Sequence, residues 1–131
     1  MGSGTELGRV RGLGSSKDGA HHWWHQRVTA AGNMILMVWL LASLARLPGH
    51  DYAAMTQWLA SPLVAVPMVL LVISVFYHFR LGLQVLLEDY VHGPGRYAWL
   101  LILNFFVIGL GATAIFSILK IAFTASAGAA Q

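Results

Sequence analysis

The chain contains no cysteine, so it supplies neither a disulfide, nor thiolate ligands for an iron–sulfur cluster, nor the CxxCH attachment of a covalent haem. Any metal it holds must come with a non-covalent cofactor or be bound by histidine and carboxylate. Charge is also scarce: charged residues make up 10% of the 131, against 57% that are hydrophobic. With a mean hydropathy of +0.66, this balance excludes an ordinary soluble domain and fits one small bundle of membrane helices. Two further absences concern the amino-terminal part. Arg9, Arg11 and Lys17 are basic, but no apolar run with a small-residue cleavage site follows them, so no cleaved signal peptide is expected. The glycines of GSG and GLGSS lack the strand-to-helix context of a phosphate-binding loop, which leaves residues 1–26 as a flexible docking or linker arm.

What is present is three long apolar stretches. The first runs from about Val28 to Ala45 and is opened by Trp23, Trp24 and Arg27, residue types that settle at headgroup level. Pro48 to Ser61 is too short and too polar to cross. Asp51 is placed to cap a short interfacial helix there, with Tyr52, Met55, Trp58 and Leu59 on one side. Ser61 and Pro62 then form a cap and first-turn signal for a second span over 62–87, with Pro67 a candidate kink. The sequence GPG at 93–95 breaks the chain before a third span over 97–122. Within it, Gly109, Thr113 and Ser117 recur every four residues and form a small-residue stripe suited to helix packing. The expected fold is all-α: one domain over 1–131, with three transmembrane helices, a cytoplasmic amino-terminal arm and an interfacial helix between spans 1 and 2.

Orientation follows from the basic residues. With the amino terminus cytoplasmic, that side holds Arg9, Arg11, Lys17, Arg27 and Arg96, and the other holds Arg46 and Lys120. Five against two favours this topology, with the carboxyl terminus periplasmic in a bacterial inner membrane.

The second span carries the residues that cost most in a bilayer, in the run HFRLGLQVLLEDYVH. His78 and Asp89 are eleven residues apart, which at about 100° and about 1.5 Å per residue puts them on one face, roughly 16 Å apart along the axis. With Asp89 at the cytoplasmic boundary, His78 lies near mid-membrane. Gly82, one turn after His78, removes a side chain where a flat ligand needs room. A neutral imidazole at that depth has two common explanations, a hydrogen bond to a neighbouring helix or ligation of a porphyrin iron. The second requires another axial ligand from a partner chain. Arg80 faces away from His78, in a polar stripe with Gln84 and Glu88 that suits a partner contact or a snorkelling side chain. His21, His22 and His25 have no carboxylate or cysteine to complete a metal set, and docking to a soluble subunit is the default reading.

HFRLGLQVLLEDYVHG resembles the second-span signature of the smaller hydrophobic membrane anchor of succinate dehydrogenase (respiratory complex II): histidine, glycine four residues later, then Asp-Tyr eleven and twelve later. RVRGLGSSKDGAHHWWHQRVTA is similar to the same anchor in alphaproteobacteria and mitochondria. The resemblance covers nearly the whole chain. It implies a non-catalytic anchor, paired with the succinate dehydrogenase cytochrome b subunit and docked to the iron–sulfur and flavoprotein subunits in a lipid membrane, with no nucleic-acid partner. It also implies haem b shared with that cytochrome b subunit and a ubiquinone site, with His78 the haem ligand, Tyr90 the hydrogen-bond donor to a quinone carbonyl and Asp89 the adjacent acid. Arg27 matches a basic position in the family, which leaves two roles open for it, contact with a haem propionate or anchoring at the headgroups. The alternatives are a fumarate reductase anchor and a small helical transporter or scaffold using Arg80, Glu88 and Asp89.

Overall fold

The computed structural model describes residues 19–128. They form α1 (Gly19–Ala45), α2 (Tyr52–Ala60), α3 (Pro62–Tyr90) and α4 (Gly95–Gly128). As the sequence leads one to expect, α1, α3 and α4 are each long and apolar enough to cross a membrane. The shortest of the three, with 27 residues, extends about 40 Å at the α-helical rise, more than the roughly 30 Å of a hydrocarbon core.

α1 begins at Gly19, so the last eight positions assigned to the arm, 19–26, are helical. The rest of the expected arm lies outside the described residues. A helix satisfies its own backbone groups, so it continues into the headgroup region without penalty, and it finds packing partners on α3.

Short polar signals set the connections. Asp51 caps α2, its Oδ1 accepting from the Ala54 N–H at 3.3 Å. Trp58 Nε1 donates to Ser43 Oγ at 3.1 Å and ties α2 to the end of α1. Met55, Trp58 and Leu59 turn inward, but Tyr52 stays exposed, so the expected apolar side of α2 is narrower than four residues. Pro62 follows Ser61 at the first turn of α3, where a missing N–H costs nothing. The Ser61 carbonyl, not its hydroxyl, makes the local bonds, accepting from Val64 and Ala65 at 2.9 Å each. α3 continues as helix through Pro67. At its end Gly93 takes φ +81°, a left-handed conformation that a side chain would strain, and the turn delivers the chain into α4.

α3 is the central element, with α1 against one face and α4 against the opposite one. Among the described residues α1 and α4 make no contact with each other, and α2 packs on α3 and α4. Among the described residues the buried side chains are Ala65, Leu71, Leu81, Leu103, Val107, Ile118 and Ala122. Leu59, Met68, Val69 and Val72 pack around the cluster of Ala65, Ile118 and Ala122. Most other apolar side chains face outward, as suits a chain whose solvent is lipid or another membrane subunit.

The small-residue stripe of α4 does not serve the packing within this chain. Gly109 has open space around it, and Thr113 and Ser117 are exposed, their hydroxyls donating to Gly109 O and Thr113 O at 2.8 Å. The close approach to α3 uses Gly111, where a Cβ would lie 3.6 Å from the Phe76 ring.

Candidate functional site

The α1–α3 interface is antiparallel and polar along the amino-terminal half of α1. Gly32 faces Ser74, Thr29 meets His78, and Gln26 lies against Gly82. On α1 the residues His22, Gln26, Thr29 and Asn33 follow one another at four, three and four positions, the spacing of a single helical face. On α3 the helix period places Ser74, His78 and Gly82 within about 80° of arc. Sequence reasoning found the α3 half of this arrangement and missed the α1 half, although the polar stripe inside an apolar span was legible.

His78 is half-buried, and its Nδ1 lies 3.0 Å from Thr29 Oγ1. The Thr29 hydroxyl also lies 2.8 Å from the carbonyl oxygen of His25 and 3.1 Å from that of Gln26. Ser74 Oγ donates to the Thr29 carbonyl at 3.4 Å, fixing the two helices at this level. No hydrogen bond engages His78 Nε2 among the described residues.

Nearer the amino terminus, His25 Nδ1 is 3.0 Å from the Tyr77 hydroxyl and His25 Nε2 is 3.1 Å from His21 Nε2. These histidines therefore have partners within the chain, and among the described residues no group of three metal-binding side chains forms. His22, Trp23, Gln26, Gly82 and Val85 line an open groove of about 370 Å³ between α1 and α3. His22 Nε2 and Gln26 Oε1 are buried there without a hydrogen-bond partner. Buried polar atoms left unpaired are costly, so these two call for a water or another polar partner. A Cβ at Gly82 would meet only Gln26 Nε2, at 3.7 Å, so the glycine keeps this part of the groove open. Arg27 is exposed, its guanidinium 4.9 Å from the Trp23 ring centroid.

Asp89 and Tyr90 close α3. Both are exposed, Tyr90 at 79%, and neither side chain is hydrogen-bonded among the described residues. Arg80 faces the other way, donating its Nε–H to Asn104 Oδ1 on α4, a partner the sequence did not reveal. Further along that side, Gln84 donates to Glu88 at 3.0 Å. The Arg80 head group is thus met inside the chain, where the sequence suggested a partner contact or snorkelling.

The family model for the succinate dehydrogenase/fumarate reductase transmembrane subunit matches residues 1–113. The chain belongs to that family. It is similar to the succinate dehydrogenase hydrophobic membrane anchor subunit of Rickettsia bellii, with 35% identity over 87 residues, 66% of this chain and 70% of the relative. The anchor subunit of Rickettsia conorii is 33% identical over 88 residues. That of Paracoccus denitrificans is 26% identical over 111 residues, 85% of this chain and 86% of the relative. No solved structure matches the chain significantly. As a succinate dehydrogenase anchor, the chain is a multi-pass membrane protein that associates with the other subunits of its complex.

Proposed function

We propose that the chain anchors a succinate:ubiquinone oxidoreductase in the bacterial inner membrane, holds haem b together with a second membrane subunit, and contributes Tyr90 and Asp89 to the ubiquinone site. The observation that carries this reading is His78: a half-buried imidazole on a membrane helix with one nitrogen bonded to Thr29 and the other unbonded within the chain. This donor fits an iron porphyrin, for which imidazole nitrogen is a standard axial ligand. The unpaired atoms of His22 and Gln26, beside Gly82, add a polar lining that suits a ligand with polar edges. His78 would hold the iron and Arg27 a propionate. The cofactor when bound supplies a one-electron redox centre.

The remaining chemistry belongs to the chain's own side chains. Electrons leave succinate on the soluble subunits, and ubiquinone takes up two of them and two protons to give ubiquinol. Tyr90 donates a hydrogen bond to a quinone carbonyl oxygen, a bond that strengthens as that oxygen gains negative charge. Asp89, at the aqueous boundary, accepts protons from water and passes them inward. Exposure of both residues at the end of α3 leaves them available to a site completed by other subunits. The five-to-two count of basic residues favours the cytoplasmic side for that end. A transporter reading loses support because Arg80 is engaged by Asn104 and Glu88 by Gln84.

The test is the reduced-minus-oxidised optical spectrum of the purified complex, wild type against His78→Ala. A b-type haem signal that weakens or shifts in the variant, with all three helices still inserted, is the expected result. An unaltered spectrum and redox potential in His78→Ala would remove His78 as a ligand.

A further inference from the structure

We infer that Thr29 is a positioning residue that fixes the tautomer of His78, placing the proton on Nδ1 and leaving the Nε2 lone pair for the iron. The inference rests on the haem reading above and deepens it. It follows from counting protons around one hydroxyl. Thr29 Oγ1 lies 2.8 Å from the His25 carbonyl oxygen and 3.1 Å from that of Gln26, and both are acceptors only. A hydroxyl has one proton to give. Donated back along α1, that proton leaves the oxygen with lone pairs only, and the atom facing them, at 3.0 Å, is His78 Nδ1. A lone pair facing a lone pair makes no bond, so Nδ1 must carry a proton.

The alternative arrangement turns the Thr29 hydroxyl toward His78 and protonates Nε2. It makes one hydrogen bond where the first makes at least two, because the hydroxyl then gives up both carbonyls. In a membrane interior that difference is not repaid by water. The favoured tautomer is therefore the one that can ligate, since a neutral imidazole binds metal through its unprotonated nitrogen. The bond from Nδ1–H to an outer partner also fixes the rotation of the ring. Ser74 supports the arrangement by donating to the Thr29 backbone carbonyl at 3.4 Å, and Gly32 lets α1 approach, since a Cβ there would lie 3.3 Å from Ser74 Oγ.

The test compares three variants in the assembled, purified complex. Thr29→Val keeps the shape and removes the hydroxyl, Thr29→Ser keeps the hydroxyl, and His78→Ala removes the ligand itself. The readouts are haem content, the electron paramagnetic resonance spectrum of the ferric haem, which responds to axial imidazole orientation, and the midpoint potential. Thr29→Val is expected to lower haem affinity roughly 10-fold or more, the scale of losing an outer-shell partner, and to change both the resonance spectrum and the potential. Thr29→Ser is expected to match wild type. If the Val variant does not assemble, Thr29→Ala carries the same comparison on a residue the helix favours more. A haem signal changed by His78→Ala but identical to wild type in Thr29→Val overturns the role of Thr29 and leaves the ligand standing. A signal unchanged in His78→Ala overturns the ligand and this inference together. Loss in Thr29→Ser equal to that in Thr29→Val shows that the hydroxyl is not what matters, and also overturns it.

Discussion

Arg80 on α3 donates through Nε to Asn104 Oδ1 on α4, and Asn104 Nδ2 donates in turn to the Leu100 carbonyl at 2.7 Å. One amide thus joins two spans and holds a guanidinium that lipid would not solvate. Asn104→Leu is expected to destabilise the α3–α4 pairing by roughly 1.5–3 kcal/mol, the scale of a hydrogen bond to a charged group. The thermal midpoint of the purified complex measures it. The Arg80→Leu, Asn104→Leu double variant is expected to lose less than the sum of the single losses, because neither partner is then left alone. Strict additivity would show that the two side chains are not coupled.

Tyr90→Phe keeps the ring and removes one donor. Assembly is expected to persist while ubiquinone reduction falls about 10- to 150-fold, the equivalent of roughly 1.5–3 kcal/mol on the barrier. Succinate oxidation by an artificial acceptor that draws electrons from the soluble subunits is expected to change little. Wild-type quinone reductase activity in this variant would end the role of the hydroxyl, and equal loss of both activities would point to failed assembly.

The two glycines of α4 separate packing within the chain from packing outside it. Gly111→Leu drives a side chain into the Phe76 ring, already 3.6 Å from the position of a Cβ, and is expected to cost about 1–3 kcal/mol by overpacking. Gly109→Leu meets nothing within 4 Å in this chain and is expected to leave its α3–α4 pairing intact. Cross-linking between cysteines introduced into α3 and α4 reads both outcomes. A loss of α3–α4 cross-linking in the Gly109 variant matching that in the Gly111 variant would contradict this placement of the helices.

Topology is open to direct test. A reporter fused after Gln131 is expected to be periplasmic and one fused before Met1 cytoplasmic, the topology that the five-to-two distribution of basic residues favours. Both reporters on one side would mean an even number of spans and would move Tyr90 away from the soluble subunits.

The three spans were legible because length and apolarity suffice to specify a crossing helix. The face shared by His78, Gly82 and Asp89 was legible because helical period is a property of one segment alone. Contacts between segments were not. Arg80 and Asn104 are 24 residues apart on different helices, and no local pattern pairs them. Thr29 sits in a short helical stripe with His22 and Gln26, yet only the approach of α3 gives it His78. Gly109, Thr113 and Ser117 have the right spacing for helix packing, but spacing does not say whether the neighbour is in the same chain, and within this chain it is Gly111 that meets a helix. The beginning of α1 was misplaced because residues up to Gln26 read as polar arm, while a helix end rising out of the hydrocarbon tolerates polar side chains.

Among the described residues α1 and α4 lie on opposite faces of α3 without touching, so besides α3 itself only α2, packed on α3 and α4 and bonded to the end of α1 through Trp58 and Ser43, links the two flanks. A tilt of α4 reaches the imidazole of His78 along the α3 backbone or through α2, and the second route enters α1 at Ser43, 14 residues from Thr29. Strain that enters through the last helix by way of α2 therefore arrives at the end of α1 remote from the level where Thr29 meets His78.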